Sequence, residues 1–313
     1  MMGLIINEWV KIFKRKATYI MFAIIALGVL ASSIIIFTSN TDQPDNSNWK
    51  TELQDENNAL KADVEAVPGD QNKGYIERQI AQNEYRIEHD MAPTQDYSVW
   101  AYMTDMLPMV DLVALFAIII AAGMVASEFS WGTIKLLLIR PISRVKILLS
   151  KYVVVLLFSL LMLSVLFVLS FISGAIFFGM GDPTPYLAYV DGEIVEKGHV
   201  VHLIVSYLLE SVGLLMFSTM AFMISAAFRN SSLAIGISIF LLLMGGTVTS
   251  LLAIKFDWAK YLLFANIDLN QYFETVPVVE GMTLAFSLVT LLVYFIIFHA
   301  ISFLAFVKRD ITA

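Results

Sequence analysis

Residues 152 to 181, YVVVLLFSLLMLSVLFVLSFISGAIFFGMG, contain no Asp, Glu, Lys or Arg. As a helix rising about 1.5 Å per residue, the run exceeds the roughly 30 Å hydrocarbon core of a bilayer. It therefore reads as a membrane span. Residues 17 to 38 and 230 to 254 share the property, and three further runs are interrupted by ionisable side chains: 107 to 127 by Asp111, 201 to 228 by Glu210 and 281 to 307 by His299. The whole chain is 58% hydrophobic and 15% charged, above the apolar share of ordinary soluble domains. The expectation is an all-α polytopic membrane protein of six transmembrane helices.

Charge placement orients these spans, because Lys and Arg near span ends favour the cytoplasmic side. Residues 1 to 16, 128 to 151, Arg229 and 308 to 313 carry 12 of the 20 basic residues, accompanied by only Glu8, Glu128 and Asp310. The alternate segments, 39 to 106, 182 to 200 and 255 to 280, hold 22 acidic residues against 8 basic ones. Both termini are thus expected in the cytoplasm, with an acidic outer surface.

The lead before the first span, MMGLIINEWVKIFKRK, places Leu4, Ile5, Ile6, Trp9, Ile12 and Phe13 on one helical face, with Asn7, Glu8, Lys11 and Lys14 opposite. It is expected to lie along the inner leaflet. That lead and the missing small-residue cleavage site make the first span a retained helix, not a signal peptide. In the loop from 39 to 106, Leu53, Leu60, Val64 and Val67 follow a helical period. Pro68-Gly69-Asp70 breaks it, and Ile76, Ile80 and Ile87 resume it, which predicts an external helical hairpin. The segment from 255 to 280 gathers Trp258, Tyr261, Phe264, Tyr272 and Phe273, residues that favour the headgroup level.

Several chemistries are excluded or disfavoured. The chain has no cysteine and four scattered histidines, so no disulfide or thiolate metal site can form and no cofactor or metal is expected. The spans lack a Ser/His/Asp set, a His-Glu-x-x-His motif or paired aspartates, so no catalytic residue is assigned. No Gly-x-x-x-x-Gly-Lys-Ser/Thr loop is present to cradle ATP phosphates. The basic residues are thinly spread and close to the membrane, which argues against nucleic acid as a partner and leaves membrane lipid as one.

One cytoplasmic segment stands apart, SEFSWGTIKLLLIRPISRVKILLSKY at residues 127 to 152. Glu128 closes the second span, Gly132 permits a bend, and Thr133 can cap a short helix through Ile134, Lys135 and Leu136 to Leu138. Arg140 and Pro141 then interrupt, and Ser143 can cap the next helix at Arg144. An apolar and basic helix at the membrane surface calls for a protein partner.

The pattern Glu-Phe-x-x-Gly-Thr-Ile-Lys followed by Arg-Pro-Ile-Ser-Arg resembles the signature of bacterial ABC transporter permeases of the type-2 exporter class. The ending FVKRDI, residues 306 to 311, and the amphipathic lead are also similar to that family. The resemblance implies half of a membrane channel: a permease that pairs with a second permease subunit, here itself, and with two copies of a separate cytoplasmic ATP-binding subunit. ATP and Mg would be bound by that partner. The helix from Thr133 to Leu138 would then be the coupling helix, and residues 128 to 151 the coupling segment.

Glu210 is the intramembrane group best placed to line a polar pathway, and Ser218 follows it on the same span. Gly245 and Gly246 allow close helix approach or a break near the outer face. These four form the candidate substrate pathway, with an interhelical hydrogen bond as the structural alternative for Glu210. Asp111 is expected near the headgroups and His299 as a neutral packed imidazole. The apolar interior favours export of an amphipathic peptide, an antimicrobial compound or a lipid-like molecule. A sodium-extruding function and a membrane sensor or scaffold using the acidic loop are the competing expectations.

Overall fold

The computed structural model describes residues 1–41, 48–66, 70–93, 97–133, 142–190 and 192–308. Helix α1 (Met2–Phe13) leads into α2 (Lys16–Thr41), followed by the hairpin pair α3 (Trp49–Ala66) and α4 (Asp70–Glu88). A short α5 (Val99–Asp105) and a 3-10 turn over Leu107–Met109 run into α6 (Val110–Ser130), and α7 spans Arg144–Phe178. Two strands, β1 (Tyr186–Val190) and β2 (Glu193–Lys197), precede α8 (His199–Phe228) and α9 (Ser231–Ala253). Short turns α10 (Leu263–Asn266) and α11 (Gln271–Glu274) lead to α12 (Leu284–Phe303), which ends in a π turn over Leu304–Lys308. Six of these helices, α2, α6, α7, α8, α9 and α12, are long and apolar enough to cross a membrane.

Helix α6 forms the centre of the bundle. Its Ala114, Ala117, Ala121, Ala122 and Ala126 are buried, and such small side chains let neighbouring backbones approach closely. Between apolar helices, packing and hydrogen bonds replace the hydrophobic drive that water supplies elsewhere. Ser225 on α8 donates to the Ala122 carbonyl at 2.6 Å and accepts from the Ala126 N–H at 2.9 Å. Tyr152 and Thr219 pair at 2.8 Å, and Ser159 and Ser218 at 3.2 Å, fastening α7 to α8. By contrast α2, α9 and α12 leave large apolar side chains uncovered, among them Leu27, Phe240, Leu243 and Leu292.

Helix α7 begins at Arg144, eight residues before the apolar run at 152. The Ser143 hydroxyl caps it by accepting from the Lys146 N–H at 3.4 Å. Apolarity alone stops at Lys151, but the helix carries that lysine inside the protein on paired charges. A second difference lies in residues 182 to 200, where β1 and β2 pair antiparallel with Tyr186 opposite Lys197 and Val190 opposite Glu193. Gly192 turns the chain at φ +90, a conformation that favours glycine. The Asp-Gly dipeptide between alternating apolar residues is a hairpin signal that the hydropathy reading passed over.

The hairpin of α3 and α4 is held by a buried Asn83-to-Asn57 hydrogen bond of 3.0 Å and an exposed Lys61–Glu84 pair at 2.8 Å. Its break at residues 67 to 69 lies outside the described residues. The hairpin docks on β1 through Arg78, which donates to the Tyr186 hydroxyl at 2.7 Å, and Gln82, which donates to the Leu187 carbonyl at 2.8 Å.

Candidate functional site

At the end of the bundle that carries α1, four charged side chains meet. The Lys151 ammonium lies 2.6 Å from Glu128 Oε1 and 2.8 Å from Glu8 Oε2. Lys11 lies 2.7 Å from Glu8 Oε1 and 3.0 Å from Glu128 Oε1. Lys151 is 1% exposed, Glu8 5% and Glu128 6%. Buried charges persist only when paired and hydrogen-bonded, and here two carboxylates meet two ammoniums. Burial alone pushes the Glu8 carboxyl up, yet Lys151 and Lys11 outweigh it and hold the group below its ordinary value. Burial likewise opposes the charge on Lys11, and bonding to Glu8 and Glu128 holds its pKa above the ordinary value.

The network ties three elements together: α1 through Glu8 and Lys11, the last turn of α6 through Glu128, and the first turns of α7 through Lys151. Glu8, on the face of α1 opposite Ile5, Ile12 and Phe13, is thereby buried, while Met2, Ile6 and Val10 are exposed. A carboxylate with two ammonium partners is worth burying where a lone one is not.

Beyond Glu128 the chain leaves α6 at Gly132 (φ +71). Thr133 folds back, its hydroxyl donating to the Glu128 carbonyl at 3.4 Å. Arg15 stands over the Trp131 ring at 5.8 Å, and a cavity of about 420 Å³ opens between them and Glu128. Ile134, Lys135, Leu136, Arg140 and Pro141 lie outside the described residues. Where the chain resumes, Arg144 donates to the Val307 carbonyl at 3.1 Å, joining the start of α7 to the end of α12.

The four residues expected along a polar pathway serve separate contacts. Glu210 accepts from the Asn270 side-chain amide at 2.8 Å. Ser218 is buried and donates to the Leu214 carbonyl at 2.8 Å besides pairing with Ser159. A Cβ on Gly245 would fall 2.6 Å from the Phe264 ring, so that glycine permits a close approach, whereas one on Gly246 would meet nothing within 4 Å. His299 shares a hydrogen with the Phe295 carbonyl at 2.9 Å and lies 4.5 Å from the Tyr152 ring. Among the described residues no group of three or more His, Asp or Glu side chains could hold a metal ion.

Glu8 and Lys11 entered the sequence reading as charges that orient spans and as part of the polar face of α1, and Lys151 as an orienting charge of the segment before the third span. Two signals marked them: the Glu8–Lys11 spacing of one helical turn, and a lysine set directly against the apolar run from Tyr152.

Six helices long and apolar enough to cross a membrane, with a buried charge network at one end, define a polytopic helical membrane protein. The chain belongs to the family described as "Protein of unknown function (DUF2705)", which matches residues 75–312. It is 51% identical over 314 residues to the uncharacterized protein YhcI of Bacillus subtilis (strain 168), with 99% of each chain covered. It is 34% identical over 202 residues to YdbK, an uncharacterized membrane protein of the same organism, covering 64% of this chain and 78% of that one.

Proposed function

We propose that this chain is the transmembrane permease subunit of an ATP-driven exporter. It would work as a pair in the bacterial plasma membrane with both termini cytoplasmic, powered by two copies of a separate ATP-binding subunit. Support for the class comes from the motif at 128 to 144 and from the distribution of Lys and Arg about the six apolar helices. The observation that carries the reading further is the Glu8–Lys11–Glu128–Lys151 network, which flanks the segment expected to meet the ATPase.

A partner that pulls on residues 129 to 143 loads the end of α6 and the start of α7. Lys151 holds both to Glu128 and to Glu8 of α1, so the three elements move as one body. Separating a buried ion pair costs about 3–5 kcal/mol, more than the few tenths to 1 kcal/mol of a surface pair. Motion imposed there passes along α6, the most buried span, and along α7 into the bundle. Rigid rocking of packed helices about such a joint is a recognised means of switching between two arrangements. The apolar span interior suits an amphipathic peptide, an antimicrobial compound or a lipid-like molecule better than a bare ion.

A second reading, a membrane sensor or scaffold, draws on the docked hairpin of α3 and α4, which the Arg78–Tyr186 contact links to the bundle. Affinity purification in mild detergent, followed by mass spectrometry, separates the two. A stoichiometric ATP-binding subunit, lost when Thr133 to Leu138 are replaced, supports the permease. A preparation that never contains one favours the sensor.

A further inference from the structure

At the end of the bundle opposite α1, a cavity of about 630 Å³ opens between α4, the chain at 91 to 93, α5 and the start of β1. Its volume falls within the roughly 300–1,000 Å³ of small-molecule sites. Its lining includes the apolar side chains of Met91, Pro93, Pro185 and Leu187. Ala101, Thr104 and Asp105 of α5 line it, and Val99, Tyr102 and Met103 of the same helix are buried in the core.

The polar groups around it differ in how far their bonding capacity is used. The Asp105 carboxylate accepts from the Tyr97 hydroxyl. Glu274 receives His202 at 2.5 Å and has Arg78 at 3.9 Å. His199 is engaged through both ring nitrogens, with Thr104 at 3.2 Å and the Thr184 carbonyl at 3.1 Å. Arg78 is buried and spends a guanidinium N–H on Tyr186. The acidic groups are therefore taken up by partners within the wall.

Arg86 is the exception. It lines the cavity from the last turn of α4 and makes no hydrogen bond to a described residue. Burial works against its charge and lowers its pKa from the ordinary value, opposed by the carboxylate of Glu56. A guanidinium offers five N–H donors in a planar fork that matches a carboxylate or phosphate. These donors are open to the cavity, and an oxyanion there would meet them with charge-assisted bonds.

We infer that this cavity binds an amphiphile with an oxyanion head, the head held by Arg86 and the apolar portion lying along Met91, Pro93, Pro185 and Leu187. Neither a bare anion nor a neutral apolar molecule uses both the guanidinium and the apolar lining. The ligand is either a bilayer lipid or a free amphiphile with a phosphate or carboxylate group. The inference goes beyond the export reading and does not depend on it, since binding requires no ATPase.

The test uses the full chain purified in a neutral detergent and titrated with octyl phosphate, dioctanoyl phosphatidylglycerol and inorganic phosphate, with binding read by native mass spectrometry. Saturable binding of octyl phosphate or the phosphatidylglycerol is expected, at least tenfold tighter than inorganic phosphate. Preference for the phosphatidylglycerol assigns the ligand to the bilayer, and preference for octyl phosphate to a free amphiphile. Arg86→Gln weakens either by tenfold or more. It removes no hydrogen bond to a described residue, so the packing of the described fold is left intact. Ala92→Trp retains the arginine, fills the space beside it and also reduces binding. Equal affinity for inorganic phosphate, or binding that neither substitution changes, overturns the inference.

Discussion

Lys151 Nζ and Glu128 Oε1 stand 2.6 Å apart across the segment that separates α6 from α7, both nearly withdrawn from solvent. Residues 23 positions apart are thereby joined at the base of the bundle. Removing Lys151 leaves two buried carboxylates to share the part-exposed ammonium of Lys11. Lys151→Met is expected to lower stability by about 3–5 kcal/mol, against less than about 1 kcal/mol for Lys11→Met, whose ammonium is part-exposed. Thermal unfolding of the two variants in one detergent checks the ordering; equal losses would place the lock elsewhere.

The same network makes a pH-dependent contribution with a definite sign. The Glu8 carboxyl is held below its ordinary value of 4.5, so its contribution is fully present above that pH and is lost as pH falls through the lower folded value. Lys11 is held above 10.5, so its contribution is present below that pH and is lost as pH rises further. The stability gap between the native chain and Glu8→Gln should therefore be level between those values and narrow on acidification below 4.5. A gap indifferent to acid would mean that Glu8 is not held ionised by its lysines.

Gly245 and Gly246 are neighbours on α9 with opposite surroundings. A methyl group on Gly245 meets the Phe264 ring at 2.6 Å, while Gly246 faces open space. Gly245→Ala is expected to cost about 1–3 kcal/mol from overpacking. Gly246→Ala should be neutral or slightly stabilising, because alanine favours the helix by about 1 kcal/mol over glycine. Unfolding midpoints of the two single variants test the contrast. Similar losses at both sites would point to helix bending, not contact with Phe264.

Long apolar runs made the six helices legible, since one property averaged over some twenty residues outweighs any local exception. The hairpin of α3 and α4 was legible for a related reason: Leu53, Leu60, Ile76 and Ile80 repeat at the helical period on otherwise polar faces. The β-hairpin was not, because strands of five residues carry little hydropathy signal and only Asp191-Gly192 announced the turn. The charge network was legible residue by residue but not as a unit. Nothing in the spacing of Glu8, Glu128 and Lys151 says that three separate elements converge. Apolarity therefore starts the run at Tyr152, although the helix α7 already includes Lys151.

The most direct measurement is the ATPase activity of the chain purified with its cytoplasmic partner, compared between the native protein and Glu8→Gln. Removing that charge frees α1 from Lys151 while nearly preserving side-chain volume. The prediction is that the ATP-binding subunit copurifies in both preparations but hydrolysis stimulated by the membrane chain falls in the variant. Native protein that brings no ATP-binding subunit, or a variant whose stimulated hydrolysis is unchanged, would contradict coupling through the Glu8–Lys151–Glu128 lock.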